Sequence, residues 1–138
     1  PYARFGMVFG YGSFTIEQDY ESPGNYDYER YLFDGGIAVG YSAAAGVNFN
    51  LGESYSVFGE VHTINMSYGP THAEIVESTE NGTDQLPGMT INDKEVNFVD
   101  NYTITSTSQT NPNQPDTDLK MYFPFGSIGF NFGFRMNF

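Results

Sequence analysis

Apolar and polar residues alternate without interruption along residues 127–138. Each odd position carries either glycine or a polar side chain. The even positions carry Ile128, Phe130, Phe132, Phe134, Met136 and Phe138. A period of two places these two sets on opposite faces of a β-strand. Strands of soluble sandwiches also alternate, but they seldom line up four phenylalanines on one face. Strands of about ten residues that divide in this way face lipid on one side and a lumen on the other, so the pattern predicts a transmembrane strand.

Three further segments repeat this alternation: residues 2–16, 36–51 and 55–68. In the first, Phe5 and Phe9 share one face, and in the second every odd position is apolar. The third is less regular. Its register is chosen so that Glu60 points into the lumen, because an acidic side chain facing lipid at mid-depth costs roughly 2–4 kcal/mol or somewhat less. The chain is therefore predicted to contain four transmembrane strands.

The connections between these segments differ greatly in length. Gly52-Glu53-Ser54 is short enough for a tight hairpin turn, whereas residues 17–34 and 69–118 form long polar connections. Bacterial barrels have short periplasmic turns and long extracellular loops. This order predicts that the last strand runs inward and leaves the C-terminus in the periplasm. Residues 96–105 have strand character within the longer connection, and we interpret them as an extracellular hairpin or an extension of neighbouring strands.

Four strands are too few to close a barrel, and an open sheet edge is not tolerated in lipid. We favour the C-terminal half of an eight-stranded up-and-down antiparallel barrel, because Pro1-Tyr2 has the character of an exit from a periplasmic turn. The alternative is an oligomeric barrel to which several chains contribute four strands each. On the favoured interpretation, residues 1–138 are one outer-membrane β-barrel domain that is incomplete at its N-terminus, with residues 69–118 as a long extracellular loop within it.

Composition excludes several other classes of protein. The chain has 17 acidic and 5 basic residues and a formal net charge of −12. This balance argues against nucleic-acid binding, which needs Lys and Arg to contact phosphates. Cysteine is absent, which excludes disulfides and thiolate metal sites. No stretch approaches the about 18 apolar residues that a membrane-spanning helix needs.

The ending Phe134-Arg135-Met136-Asn137-Phe138 resembles the C-terminal signal of Gram-negative outer-membrane proteins, which is a terminal Phe preceded by apolar residues at alternate positions. Residues 2–6, 44–49 and 57–61 are similar to small barrels of the OmpA/OmpX/OmpW type, and the acidic loops rich in Asn, Tyr and Gly resemble those of Bacteroidota members. The resemblance implies an integral protein of the outer membrane that contacts outer-membrane lipid and lipopolysaccharide. It also implies that the barrel assembly machinery reads Phe134, Met136 and Phe138. The signal is specific to the barrel class and not to a function.

Four polar residues are predicted to point into the lumen: Arg4, Glu60, His62 and Arg135. One interpretation is a gate or a polar permeation path. We favour a structural plug of ion pairs, because an unpaired buried charge is costly and because eight strands leave an interior just wide enough for side chains to fill.

Catalytic and metal sites are not supported by the sequence. His62, Glu60 and Ser67 could be drawn as a hydrolytic triad, as in outer-membrane lipid A deacylases, but the motif around the histidine of that family is absent from His62-Thr63-Ile64-Asn65. His62 and His72 do not have zinc-ligand spacing, and no acidic stretch has the spacing of a defined calcium motif. We therefore predict no enzyme activity and no cofactor.

The sequence leaves three hypotheses for function. We favour a structural or interaction barrel that presents long acidic loops to other outer-membrane or surface proteins, and that could be a subunit of a larger outer-membrane complex. The size of the second long connection motivates this hypothesis, because long loops are usually functional or disordered. The alternative is a narrow channel or carrier for small or apolar molecules. A lipid-modifying outer-membrane enzyme is the least favoured.

Overall fold

The computed structural model describes residues 1–103 and 111–136. Within these ranges the chain is all-β, apart from a short 3₁₀ turn and a single turn of α-helix. The elements in chain order are β1 (Tyr2–Gly10), β2 (Phe14–Ser22), β3 (Asn25–Asp34), β4 (Ile37–Asn50), β5 (Tyr55–Gly69), β6 (His72–Glu80), β7 (Thr83–Asp84), a 3₁₀ turn (Leu86–Gly88), α1 (Ile91–Lys94), β8 (Glu95–Val99), β9 (Asp116–Leu119) and β10 (Phe123–Met136).

The strands form two separate sheets, which correspond to two compact units. The first unit comprises Pro1–Gly10, Ala38–Tyr68 and Phe123–Phe138, and the second comprises Tyr11–Ile37 and Gly69–Tyr122. The all-β class with antiparallel sheets is as predicted. Among the described residues, however, both sheets are open and no closed barrel is found.

The sheet of the first unit has the strand order β1-β4-β5-β10. β1 pairs antiparallel with β4, and β10 pairs antiparallel with β5 over Phe123–Met136. β4 and β5 are joined by the predicted short turn, where the Leu51 amide donates a 2.8 Å hydrogen bond to the Tyr55 carbonyl. The four alternating segments thus occupy neighbouring positions in one meander.

The two faces of this sheet are chemically distinct, as the alternation predicts. One face, here called the apolar face, carries large side chains that are exposed to solvent. Phe5, Ile128 and Phe132 are 74%, 74% and 83% exposed. The other face, here called the polar face, carries small residues together with charged and polar side chains, among them Arg4, Glu60, His62, Asn131 and Arg135.

Glycines allow bulky side chains and neighbouring backbone to fit against the polar face. A Cβ atom on Gly40 of β4 would lie 2.0 Å from the Asn65 carbonyl oxygen of β5. On β10, Gly129 and Gly133 lie opposite His62 and Phe58, whose rings occupy the space that side chains at the two glycines would need. The glycines of β10 therefore provide the room that these two rings occupy.

The sheet of the second unit has the strand order β2-β3-β6-β8-β9, with β7 paired to β6. β8 and β9 are parallel, whereas the other pairs are antiparallel. Its apolar core is built around Phe33, which is 7% exposed. The Phe33 ring stacks on Phe14 with a 5.0 Å centroid separation and on Phe98 at 6.3 Å.

The second unit corrects the prediction that residues 17–34 and 69–118 are long loops. Residues 14–34 form the hairpin of β2 and β3, which turns at Gly24 with a φ of 86°. The longer segment contains β6 to β9, and β8 (Glu95–Val99) overlaps the predicted strand at 96–105 only over Val96–Val99. The remainder of that prediction from residue 104 lies outside the described residues. The first predicted strand is also shorter, because Phe14 and Ile16 belong to β2.

Charge is divided unequally between the two units. In the first unit, Glu53 and Glu60 are balanced by Arg4 and Arg135. Every other acidic and basic residue lies in the second unit, which therefore carries the whole formal charge of −12. Within the described ranges, no helix has the length and apolar character needed to cross a membrane.

Candidate functional site

Glu60 is a buried carboxylate at the centre of the polar face of the first unit. Glu60 as a whole is 6% exposed. Its Oε1 accepts hydrogen bonds from Arg4 Nη2 at 2.5 Å and from Asn131 Nδ2 at 3.2 Å, and its Oε2 accepts one from the Tyr2 hydroxyl at 2.9 Å. Both oxygens are therefore satisfied, as a buried charge requires.

Strand register explains why these residues meet. Asn131 lies directly opposite Glu60 in the pair formed by β10 and β5. Tyr2 and Arg4 are two positions apart on β1, so their side chains leave the same face of that strand. The predicted grouping of Arg4 with Glu60 is an ion pair in the structure. Sequence analysis did not identify Tyr2 and Asn131 as members of the cluster.

The two partners of the ion pair have different surroundings. The Glu60 side chain is 4% exposed, whereas the Arg4 side chain is 65% exposed. Arg4 uses one guanidinium nitrogen on Glu60 and keeps further N–H groups accessible. Hydrogen bonds of this charge-assisted kind are roughly twice as strong as neutral ones, so Glu60 holds Arg4 in place while part of the guanidinium stays open.

Arg135 lies on the same face, near the end of β10. Its register partner is Ser56 of β5. Together with Arg4 and Glu60 it lines a cavity of about 760 Å³. In the part of the chain that the structure describes, no carboxylate lies within ion-pair distance of Arg135. The structure therefore brings Arg4, Glu60 and Arg135 to one cavity, but it pairs only the first two.

His62 is half-buried on the same face and takes no part in the Glu60 cluster. Its Nδ1 atom is buried and has no hydrogen-bond partner among the described residues. Its ring lies over Gly129, where a Cβ atom would be 2.4 Å from Cε1. Ser67 stands an odd number of positions away on β5, which directs its side chain to the opposite face. The described residues thus contain no hydrogen-bonded arrangement of His62, Glu60 and Ser67.

The apolar residues of the C-terminal motif, Phe134 and Met136, lie on the apolar face. Phe134 and Met136 are 59% and 44% exposed. The Phe134 ring stacks on Tyr55 of β5 with a centroid separation of 5.6 Å. Phe138 lies outside the described residues.

The second unit contains a histidine between two carboxylates. His72 Nδ1 is 3.1 Å from Asp34 Oδ1, and His72 Nε2 is 4.0 Å from Glu95 Oε2. The three residues come from β6, β3 and β8, which are distant in the sequence. No local motif therefore predicts that they lie together. Each ring nitrogen faces a different carboxylate, and the three groups do not converge on one point. No cluster that could hold a metal ion is found in residues 1–103 and 111–136.

Two basic residues of the second unit, Arg30 and Lys120, pair with acidic neighbours at its surface. Arg30 Nη2 is 2.7 Å from Glu77 Oε2, and both side chains are well exposed. Lys120 Nζ is 3.1 Å from Asp100 Oδ1. Exposed pairs of this kind contribute little to stability. The surface of this unit is therefore predominantly acidic.

Comparisons with protein-family models, with curated proteins and with solved structures found no match to this chain.

Proposed function

We propose that this chain is an integral outer-membrane β-barrel protein of a Gram-negative bacterium with a structural or interaction role. In this proposal the first unit lies in the membrane, and the acidic second unit is presented outside the cell to other outer-membrane or surface proteins. The observation that carries the proposal is the apolar face of the first unit. It supports lipid contact because all four strands contribute large apolar side chains to it.

The size and continuity of the apolar face set it apart from an ordinary protein surface. Soluble monomers rarely expose contiguous apolar patches larger than a few hundred Å². Here Phe5, Tyr41, Val61 and Phe130 place exposed apolar side chains on each of the four neighbouring strands. Lipid chains solvate such a face without cost, whereas water does not.

The charge distribution supports the same assignment. The first unit has no net formal charge, and its buried carboxylate Glu60 is paired with Arg4 on the face away from the exposed phenylalanines. Charged side chains that face lipid are destabilising in a transmembrane barrel, whereas those that face the lumen are tolerated. The second unit carries the charge of −12, which suits an aqueous environment.

The connectivity supports a periplasmic C-terminus. Arg135 lies opposite Ser56, so the end of β10 lies beside the start of β5 and the short turn that precedes it. The two long connections leave from the other ends of these strands, where Gly10 pairs with Ala38 and Phe123 pairs with Tyr68. Short turns on the periplasmic side and long segments outside are the usual arrangement in bacterial barrels.

A barrel requires partners for the two edge strands of this sheet, β1 and β10. Unpaired backbone groups are not tolerated in contact with lipid. We infer that further strands complete the ring, either from an eight-stranded barrel of which this chain forms half or from further copies of the chain.

The proposal is tested by measuring which side chains contact lipid. The chain contains no tryptophan, so a single introduced tryptophan is a unique fluorescent reporter. We expect Phe130→Trp, in protein refolded into phosphatidylcholine vesicles, to be quenched by lipids brominated on their acyl chains. Tyr26→Trp in the second unit is the matched control, and it should be quenched instead by acrylamide, an uncharged aqueous quencher that the acidic surface does not repel.

The opposite result for Phe130→Trp would overturn the proposal. Quenching by acrylamide with no effect of brominated lipid would mean that the apolar face does not contact acyl chains. A complementary measurement is migration in SDS gels with and without boiling. If the strands form a closed ring in lipid, the refolded protein should resist unfolding by SDS at room temperature. Its migration in the gel should then change only after boiling.

A further inference from the structure

Both basic residues of the first unit line the same cavity on its polar face. The cavity measures about 760 Å³, and Tyr2, Arg4, Asn48, Asn131 and Arg135 contribute polar groups to its lining. It lies towards the end of the sheet that carries the short turn, because Arg135 lies opposite Ser56 and Tyr2 lies opposite Gly46. Positive charge is therefore concentrated here in a chain whose net charge is −12.

The hydrogen-bond donors of this cavity outnumber the acceptors that the protein supplies. Glu60 is the acidic residue in the lining, and its two oxygens accept from Tyr2, Arg4 and Asn131. Arg4 has further N–H groups available, and all five N–H groups of Arg135 remain without an ion-pair partner among the described residues. Two guanidinium groups against one carboxylate leave an excess of one positive charge.

We propose that this cavity is a binding site for a small oxyanion, a carboxylate or a phosphate, held between Arg4 and Arg135. The planar fork of a guanidinium matches the oxygens of carboxylates and phosphates and binds them through two parallel hydrogen bonds. Asn48 adds a side-chain amide to the lining. Glu60 acts as a positioning residue, because its bond to Arg4 orients that guanidinium.

The charge of the second unit favours anion binding at this cavity over binding elsewhere on the chain. An anion is repelled by the second unit, whose acidic residues far outnumber its basic ones. The inference rests on the geometry of the first unit alone and does not require that the apolar face contacts lipid. Two sources share the chemistry: a free anion in solution and the phosphate of an anionic lipid headgroup.

The site is tested by direct titration with inorganic phosphate. The full chain, refolded in an uncharged maltoside detergent at low ionic strength, should show saturable phosphate binding by calorimetry. Arg135→Gln should weaken this binding by about tenfold or more, as expected for the loss of a charge-assisted contact. Arg30→Gln, which removes a guanidinium from the second unit, is the matched control and should leave the affinity unchanged.

A second variant keeps the test decisive if Arg135→Gln fails to refold, as judged by far-UV circular dichroism. Arg135→Lys keeps the charge and removes the fork, so it should bind phosphate more weakly than the unmodified chain. Equal affinity in the unmodified chain and the folded Arg135 variants would overturn the proposal. Absence of saturable binding would also overturn it.

Competition distinguishes the two sources of the anion. Short-chain phosphatidylglycerol, compared with phosphatidylcholine of the same chain length, is added to the phosphate titration. Displacement of phosphate by the anionic lipid alone supports a headgroup as the ligand. Phosphate binding that neither lipid disturbs supports a free anion.

Discussion

Asn131 of β10 lies directly opposite Glu60 of β5, and its side-chain amide donates a 3.2 Å hydrogen bond to the Glu60 carboxylate. The same carboxylate accepts from Tyr2 and Arg4 of β1. Since β1 and β10 are the two edge strands of the four-stranded sheet, one side chain of an inner strand connects both edges. Glu60 is therefore the residue through which the edges of the first unit are coupled.

The coupling predicts an unequal response to removal of either member of the ion pair. Arg4→Met leaves a carboxylate buried without its cation, whereas Glu60→Gln leaves a guanidinium that is already largely exposed. We expect Arg4→Met to lower the urea midpoint of unfolding more than Glu60→Gln, because an uncompensated buried charge is the costlier defect.

A double-mutant cycle checks that the effect belongs to this pair. Arg4→Met combined with Glu60→Gln should be less destabilising than the sum of the two single changes, since neither charge remains unpaired. Asn131→Leu serves as the comparison, because it removes a neutral donor. Strictly additive midpoint shifts would show that Arg4 and Glu60 act independently.

The four strands of the first unit could be predicted from sequence because their two faces differ so strongly. Every even residue from Ile128 to Met136 is apolar and exposed in the structure. The turn at residues 52–54 is short, which fixes β4 and β5 as neighbours. Alternation and turn length are local signals, and both are read from adjacent residues.

The second sheet could not be predicted in the same way because its pairing is not local. β6 pairs with β3 across sequence separations of 38 (Asp34 with His72) to 53 residues (Asp27 with Glu80), and the bulge between Arg30 and Tyr31 shifts the register of that pair. Its strands are rich in charged and polar residues on both faces, so their alternation is weak. The pairing of strands that are far apart in the sequence cannot be predicted from the local pattern of a single sequence.

The candidate site was predictable in part. Parity along the strands places Arg4, Glu60 and Arg135 on one face, and the structure shows them lining one cavity. Tyr2 shares the parity of Arg4, which is the signal that could have added it to the cluster. Asn131 required the register of β10 against β5. His72, Asp34 and Glu95 meet only through the pairing of three strands of the second unit.

Gly40 is expected to be intolerant of a side chain, because the backbone of β5 passes close to it. Gly40→Ala would place a Cβ atom 2.0 Å from the Asn65 carbonyl oxygen. Overpacking of this kind costs about 1–3 kcal/mol and sometimes more, which should appear as a lower urea midpoint. Gly6→Ala is the matched control on the neighbouring strand, because its Cβ would lie 3.6 Å from Ser42 Oγ. Equal midpoints for the two variants would contradict this close approach.

The apolar face predicts a depth-dependent response to charge if it contacts lipid as we propose. Phe130→Arg places a guanidinium near the middle of β10, and it should destabilise the protein in vesicles by about 2–4 kcal/mol. Leu51 lies beside the short turn, and Leu51→Arg is expected to lower the free energy of unfolding by only about 0–1 kcal/mol. Phe130 and Leu51 are similarly exposed on the protein, at 68% and 64%, so the two substitutions disturb the packing of the chain to a similar extent. The measurement is the free energy of unfolding in urea, and equal costs at the two positions would argue against a bilayer around this face.

Tyr31 of β3 predicts how the second unit responds to alkaline pH. Burial of the phenol, its hydrogen bond to Glu29 and the negative charge of Glu29 raise the pKa of Tyr31 to about 12. The folded state therefore holds this proton more tightly than the unfolded state, in which the pKa is 10.0. The resulting stability is fully present below pH 10 and is lost as the pH rises towards 12. We expect the difference in absorbance at 295 nm between the unmodified chain and Tyr31→Phe to titrate near pH 12. Glu29→Gln, which removes the acidic neighbour, should move that midpoint downwards, and a midpoint near 10 in the unmodified chain would show that the phenol is not held in this environment.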